Sequence, residues 1–240
     1  MNQSTNQPNM PYKHLFFDLD HTLWDFETNS KETLGEVFHR HELDKTLTND
    51  FDGFYEKYSA HNKRLWDKYH HGLIKQDELR WKRMWHTLLD YKNGSEQLAR
   101  QLSVEYLEIL PTKQAIFPYT KEILDYLAGK NYVMHLITNG FEEVQYGKLK
   151  NSGLTHYFTH VVTSEKAMSL KPNKEIFDYA LLLAKATKEE SIMIGDNLDA
   201  DIKGAMDAGL DAIFVNHIGE TTSLKPTYTI YHLQELEGIL

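Results

Sequence analysis

The stretch Lys13-His-Leu-Phe-Phe-Asp-Leu-Asp-His-Thr-Leu-Trp24 constrains this chain more than any other. Leu15-Phe16-Phe17 is a short apolar run between polar residues, which predicts a buried strand of a parallel sheet. Side chains alternate along a strand, so Asp18 and Asp20 leave on the same side where the extended backbone continues past Phe17. Two carboxylates at the end of a buried strand raise each other's pKa, and desolvation raises both. A divalent cation is the simplest compensation. A site of a few carboxylate oxygens suits Mg²⁺, which keeps several waters and shares its site with phosphate oxygens.

Composition narrows the function classes. The chain has 240 residues, room for one large or two modest domains, and a formal net charge of −9 that argues against nucleic acid as a partner. It contains no cysteine, which excludes disulfides, thiolate catalysis and cysteine-based zinc sites together. No apolar segment is long enough for a membrane span and no signal peptide is legible, so a cytoplasmic protein without membrane partners is expected. Residues 1–10 are polar and rich in Asn and Gln, and read as a disordered tail.

The periodicity changes along the chain. From about Glu27 to Leu110 it is helical, with candidate helices over Ser30–His41, Asp50–Tyr69, Gln76–Tyr91 and Ser95–Ile109. Thr48, Asn49 and Ser95 are candidate N-caps. The histidine pairs His39-x-His41 and His70-His71 read as helix-packing or surface residues rather than as metal ligands. Trp81 and Trp85, four apart and so on one helix face, read as core of a small bundle rather than as a stacking platform for a base. From Phe117 onward, strands alternate with helices. Strands are expected over Tyr132–Ile137, His160–Thr163, Ser191–Ile194, Asp211–Val215 and Tyr228–Ile230. Helices are expected over Pro118–Gly129, Phe141–Lys150, Glu175–Lys185 and Ala200–Ala208. This alternation implies an α/β fold: a doubly wound, Rossmann-like parallel sheet with helices on both faces. Residues 11–26 and 112–240 make that core, and 27–111 is a helical bundle inserted after the first strand.

In open α/β sheets, ligands bind beyond the carboxyl ends of the strands. Candidate groups stand at several of these ends. Asp18 and Asp20 follow the first strand. Thr138-Asn139-Gly140 precedes a helix, where backbone N–H groups and a hydroxyl make an anion site. Lys171 lies in Leu170-Lys171-Pro172-Asn173, also ahead of a helix, and Gly195-Asp196 opens a segment that continues to Asp199 and Asp201.

In their order, these motifs resemble those of the haloacid dehalogenase-like superfamily, over essentially the whole chain from Tyr12. Asp18-Leu-Asp-His-Thr-Leu is similar to the first motif and Ile137-Thr138-Asn139-Gly140 to the second. Lys171-Pro172 is similar to the third, and Gly195-Asp196 through Asp201 to the fourth. One departure is that Ser169 and Leu170 stand where the family usually has a glycine close before the lysine. The insertion resembles the family's helical cap.

The resemblance implies a mechanism in which Asp18 attacks phosphorus to form an aspartyl-phosphate. Asp20 is then the general acid and base, Thr138 and the Asn139 amide bind phosphoryl oxygens, and Lys171 offsets charge. It implies Mg²⁺ at Asp18, the backbone carbonyl of Asp20, and Asp196, with Asp201 or Asp199 as the further acid of the last motif. Family dehalogenases lack an acid at the position of Asp20, so a carbon–halogen substrate is disfavoured. The wording Phe-Phe-Asp-Leu-Asp-His-Thr-Leu-Trp-Asp-Phe, with Ile-Thr-Asn-Gly, is similar to the branch that dephosphorylates pyrimidine nucleoside monophosphates. The implied partner is therefore a small phosphorylated metabolite, a nucleoside monophosphate first, with phosphatase or mutase action on small sugar phosphates as the alternative. A receiver-like signalling module, which also accepts phosphate on an aspartate, is the competing class. Its phosphoacceptor sits on an internal strand, and it carries no large helical insertion.

Overall fold

The computed structural model describes residues 12–240; the expected tail at 1–10 lies outside the described residues. β1 (His14–Phe17) is the strand the sequence predicts, with Leu15, Phe16 and Phe17 fully buried. Burying side chains of this size stabilises by roughly 1.5–3 kcal/mol each. Around it stand β2 (Val133–Thr138), β3 (His160–Thr163), β4 (Ser191–Gly195), β5 (Asp211–Val215) and β6 (Tyr228–Ile230). All pairings are parallel and the order is β3-β2-β1-β4-β5-β6. The expected α/β class and doubly wound sheet are therefore present.

β1 is the strand at which the winding reverses. The chain steps outward through β2 and β3 on one side, then returns to β4, β5 and β6 on the other. Phe17 pairs with Leu136 of β2 and with Ile194 of β4, so β1 lies in parallel register between them. Phe16, Ile137, Met193 and Phe214 pack on one face of the sheet against Ile176, Phe177, Ile202 and Ala205 from the helices that cover it.

Packing separates two compact units: residues up to Trp24, Ile116–Glu142 and Gly153–Leu240 in one, Asp25–Ala115 and Glu143–Ser152 in the other. The expected insertion spans 27–111. The helix Glu142–Ser152 groups for most of its length with the second unit, where the Asn151 amide donates to the Pro111 carbonyl at 2.8 Å. The two ends of the long inserted segment are tied by Asn29. Its amide donates to the carbonyls of Asp25 and Ala115, and its oxygen accepts from the Ala115 N–H.

Several local expectations are corrected. The helix Phe51–His70 is capped by Asp50, which accepts from the Gly53 N–H at 2.9 Å, not by Thr48 or Asn49. A carboxylate there meets both the open N–H groups and the positive end of the helix dipole. Thr48 instead accepts from the Asp50 N–H. Pro118 lies in a turn and the helix begins at Thr120, because Tyr119 takes a left-handed φ of 70°. Trp81 and Trp85 are half-buried rather than core, since Leu79, Arg83, Met84, Thr87 and Leu88 form the inward face of their helix. The Arg100 guanidinium lies 3.9 Å from the Trp81 ring centre. His41 pairs with Glu105, and His39 packs edge-on to Phe38. None of the described helices is long and apolar enough to cross a membrane.

Gly204 begins the helix Gly204–Ala208, and a methyl group there would sit 2.8 Å from the Pro172 Cα and 3.0 Å from the Phe177 ring. Gly204→Ala is expected to destabilise by ~1–3 kcal/mol through overpacking, measured by urea unfolding. Gly129→Ala, with open space at that position, is the control and should cost nothing.

Candidate active site

The carboxyl ends of β1, β2 and β4 bring the charged groups together. Asp18 directly follows β1, and its N–H donates to the Ile194 carbonyl at 2.9 Å, which continues the sheet bonding by one residue and fixes the carboxylate beside β4. Lys171 reaches the same place from the loop before the helix Lys174–Ala184 and is 2 % exposed. Its ammonium lies 2.6 Å from Asp18 Oδ1, 2.6 Å from Asp201 Oδ1 and 2.7 Å from the Ile137 carbonyl. Two of its N–H groups donate, to Asp18 and to the Ile137 carbonyl, while Asp201 faces it as an ion-pair partner.

Asn139, the first residue after Thr138, holds the lysine's backbone. Its amide donates to the Lys171 carbonyl and its oxygen accepts from the Lys171 N–H, both at 2.8 Å. A reciprocal pair of this kind fixes the lysine's main chain without a glycine in the loop. Thr138 is 2 % exposed, and its hydroxyl accepts from the Gly140 N–H at 3.1 Å.

The last segment departs from the expected α-helix over Ala200–Ala208. Residues Leu198–Lys203 form a wider π-type turn before the short helix begins. Asn197 is the cause. Its side chain accepts from the N–H groups of Asp199 and Ala200, while its carbonyl accepts from both Asp201 and Ile202. The widened turn folds Asp201 back, so that Oδ2 accepts from the Asn197 N–H at 3.0 Å. Gly195 permits this approach: a methyl group there would overlap the Asp201 carboxylate. Asp199 is exposed and is not part of the carboxylate group.

Asp18, Asp196 and Asp201 form the group, among the described residues, whose carboxylate oxygens all lie within 4.8 Å of one another. Asp20 is half-buried in the turn after β1, and its side chain is not part of that group. Three carboxylates thus face one ammonium. Burial pushes Asp18 well above the usual carboxylate range, Lys171 pulls it down, and Asp201 and Asp196 push it up again. Asp196 is pushed up to about 8 by burial and then by Asp201, against the Thr22 hydroxyl, which donates to Asp196 Oδ1 at 3.0 Å. Burial alone would lower Lys171, but Asp18 and Asp201 more than reverse it and hold the ammonium charged. The uncompensated negative charge and the all-oxygen donor set fit a hard divalent cation.

Thr22 and Gly195 matter to this geometry and carry no chemistry that sequence reasoning singled out. The available signal for Thr22 was a hydroxyl four residues after the first aspartate of the motif, on the same turn.

A doubly wound sheet with a buried aspartate, a lysine and an acidic cluster at its strand ends fits a hydrolytic enzyme, and the family match makes that class plain. Residues 12–209 match the family model described as haloacid dehalogenase-like hydrolase, and the chain belongs to that family. It is 33% identical over 233 residues to pyrimidine 5'-nucleotidase PynA of Streptococcus pneumoniae, covering 95% of this chain and 94% of that one. It is 33% identical over 236 residues to pyrimidine 5'-nucleotidase YjjG of Escherichia coli, covering 96% and 99%. A glyceraldehyde 3-phosphate phosphatase of Methanothermobacter thermautotrophicus is 41% identical over 100 residues, 42% of this chain and 44% of that protein. Among solved structures, the magnesium-bound HAD-hydrolase YfnB of Bacillus subtilis superposes with a TM-score of 0.87 at 28% identity, covering 95% of this chain and 98% of that one.

An aspartate whose pKa is about 8 when folded and about 4 when unfolded binds a proton only in the folded state between those values. The metal-free protein should therefore lose stability as pH rises through that window, and Asp18, raised in the same direction, adds to the slope. Added Mg²⁺ should flatten the slope by favouring the ionised forms. Thermal melts from pH 5 to pH 8, with and without Mg²⁺, measure this; a metal-free stability that rises with pH contradicts it.

Proposed function

We propose that this chain is a Mg²⁺-dependent phosphomonoesterase that works through an aspartyl-phosphate on Asp18, with pyrimidine nucleoside monophosphates as its substrates. The observation that carries the reading is the threefold hold on Lys171, which fixes Asp18 beside Asp196 and Asp201 at the sheet's switch point. The family assignment and the two relatives named pyrimidine 5'-nucleotidase, matched over nearly their full length, support the substrate class.

In this reading an Asp18 oxygen attacks the phosphorus of the monoester, and the bond from phosphorus to the leaving alkoxide breaks. Asp20 delivers a proton to that alkoxide. Asp20 then takes a proton from a water molecule, the water oxygen attacks phosphorus, and the bond to Asp18 breaks to release inorganic phosphate. A positioned acid and base of this kind contributes ~10²–10⁴-fold. The Thr138 hydroxyl and the Asn139 N–H bind phosphoryl oxygens at the entrance of the following helix, and Lys171 offsets the charge of Asp18. Asp18, Asp196 and the Asp20 carbonyl would hold a Mg²⁺, with Asp201 as the further acid of the group, and the ion when bound would supply the positive charge that lets carboxylate and phosphate approach.

Asp18→Asn is expected to abolish hydrolysis of p-nitrophenyl phosphate with the fold intact by circular dichroism. Asp20→Asn should slow turnover ~10²–10⁴-fold and leave a phosphoenzyme that can be trapped. Retained activity in Asp18→Asn would place the nucleophile elsewhere.

The substrate class is tested by kcat/KM across a panel with Mg²⁺: UMP, CMP and dTMP against purine nucleotides, glyceraldehyde 3-phosphate and hexose phosphates. Pyrimidine monophosphates should lead. A preference for the sugar phosphates would favour the reading that the 41% identical relative suggests. Turnover should stop in EDTA and return with Mg²⁺.

A further inference from the structure

His217 lies just beyond the end of β5 (Asp211–Val215), on the side of the sheet order where β4 and β5 adjoin. Its ring stacks on Phe117 with centroids 4.0 Å apart and planes 15° from parallel. Nε2 is 3.2 Å from the Thr22 carbonyl, and Nδ1 is 3.2 Å from the Tyr231 carbonyl. Both partners are acceptors only, so the ring must donate wherever a bond forms. Neutral, it holds one of the two carbonyls; doubly protonated, it holds both.

The Thr22 carbonyl is a telling place for that contact. Thr22 is fully buried, and its hydroxyl donates to Asp196 Oδ1 at 3.0 Å. The neighbouring Leu23 carbonyl accepts from the Phe117 N–H at 2.9 Å and from the Thr120 hydroxyl at 3.2 Å. The preceding residue, His21, has a left-handed φ of 61° and donates its N–H to the Trp24 carbonyl. The turn from His21 to Trp24 is therefore fastened on the Thr22 peptide by His217 and on the Leu23 peptide by Phe117, the residue that also carries the His217 ring. The Asp196 oxygen is tied to the same turn through one hydroxyl.

We infer that His217 is a positioning residue for the cation site: by holding the Thr22 carbonyl it sets the direction of the Thr22 hydroxyl, and through that hydroxyl it orients the Asp196 carboxylate. This rests on the proposed role of Asp196 as a metal ligand. Groups that orient a ligand from behind are worth about 10–100-fold in metal affinity.

A double-mutant cycle read by calorimetric titration of Mg²⁺ into metal-free protein tests it. His217→Leu and Thr22→Val should each raise the Mg²⁺ Kd by about 10-fold or more. The double variant should bind no more weakly than Thr22→Val alone, because the histidine acts through the hydroxyl that this substitution removes. His217→Gln, which keeps a donor for one carbonyl, should recover part of the loss and carries the same cycle if His217→Leu does not fold. An unchanged Kd in folded His217 variants, or losses that simply add, would overturn the inference while wild-type binding leaves the metal reading standing. A wild type that binds no Mg²⁺ would overturn both.

Discussion

The ammonium of Lys171 is the interaction around which the rest of the site is arranged. It is a cation inside the protein, and a buried charge without partners is prohibitive. Two carboxylates and a backbone carbonyl supply those partners, from the end of β1, the π-type turn after β4 and the last residues of β2. Asp18 and Lys171 are 153 residues apart in the chain, so this one group brings distant segments to a point. Asn139 completes the arrangement by holding the lysine's peptide at both its N–H and its carbonyl.

One cation does not balance the acids that surround it. Asp18 and Asp196 are both raised, burial being the largest cause in each. A site that resists ionisation in this way favours a second positive charge, and the parallel register gathers the carboxylates beyond the strand ends, where open α/β sheets bind their ligands. The family relationship fits this electrostatic picture, since the relative YfnB was solved with magnesium bound.

Much of this was legible in the chain. The Leu15-Phe16-Phe17 run, the later alternation of strand and helix, and the long helical stretch between them all follow from periodicity. Asp18, Thr138, Lys171 and Asp196 could be placed at strand ends because each follows an apolar run or precedes a helix. What was not legible depends on groups that meet through folding. That Asp201 rather than Asp199 joins the carboxylate group turned on the side-chain and carbonyl bonds of Asn197, which widen one turn by a residue. The half-buried state of Trp81 and Trp85 turned on which of several apolar positions their helix turned inward. His217 gave no local signal, since it meets its partners only through two main-chain carbonyls, and Thr22 gave only its place in the first motif.

By itself, the order of residues determined which segments form strands and helices, and which of them end in charge. Those properties are local: apolar spacing sets the period, and polar residues stop the runs. Tertiary structure alone decided which charges meet. A salt bridge, a carbonyl contact or an aromatic stack between Asp18 and Lys171, or between Phe117 and His217, exists only after the sheet has set the strand order. The energy of such contacts depends on distance and burial in three dimensions, and sequence spacing encodes neither.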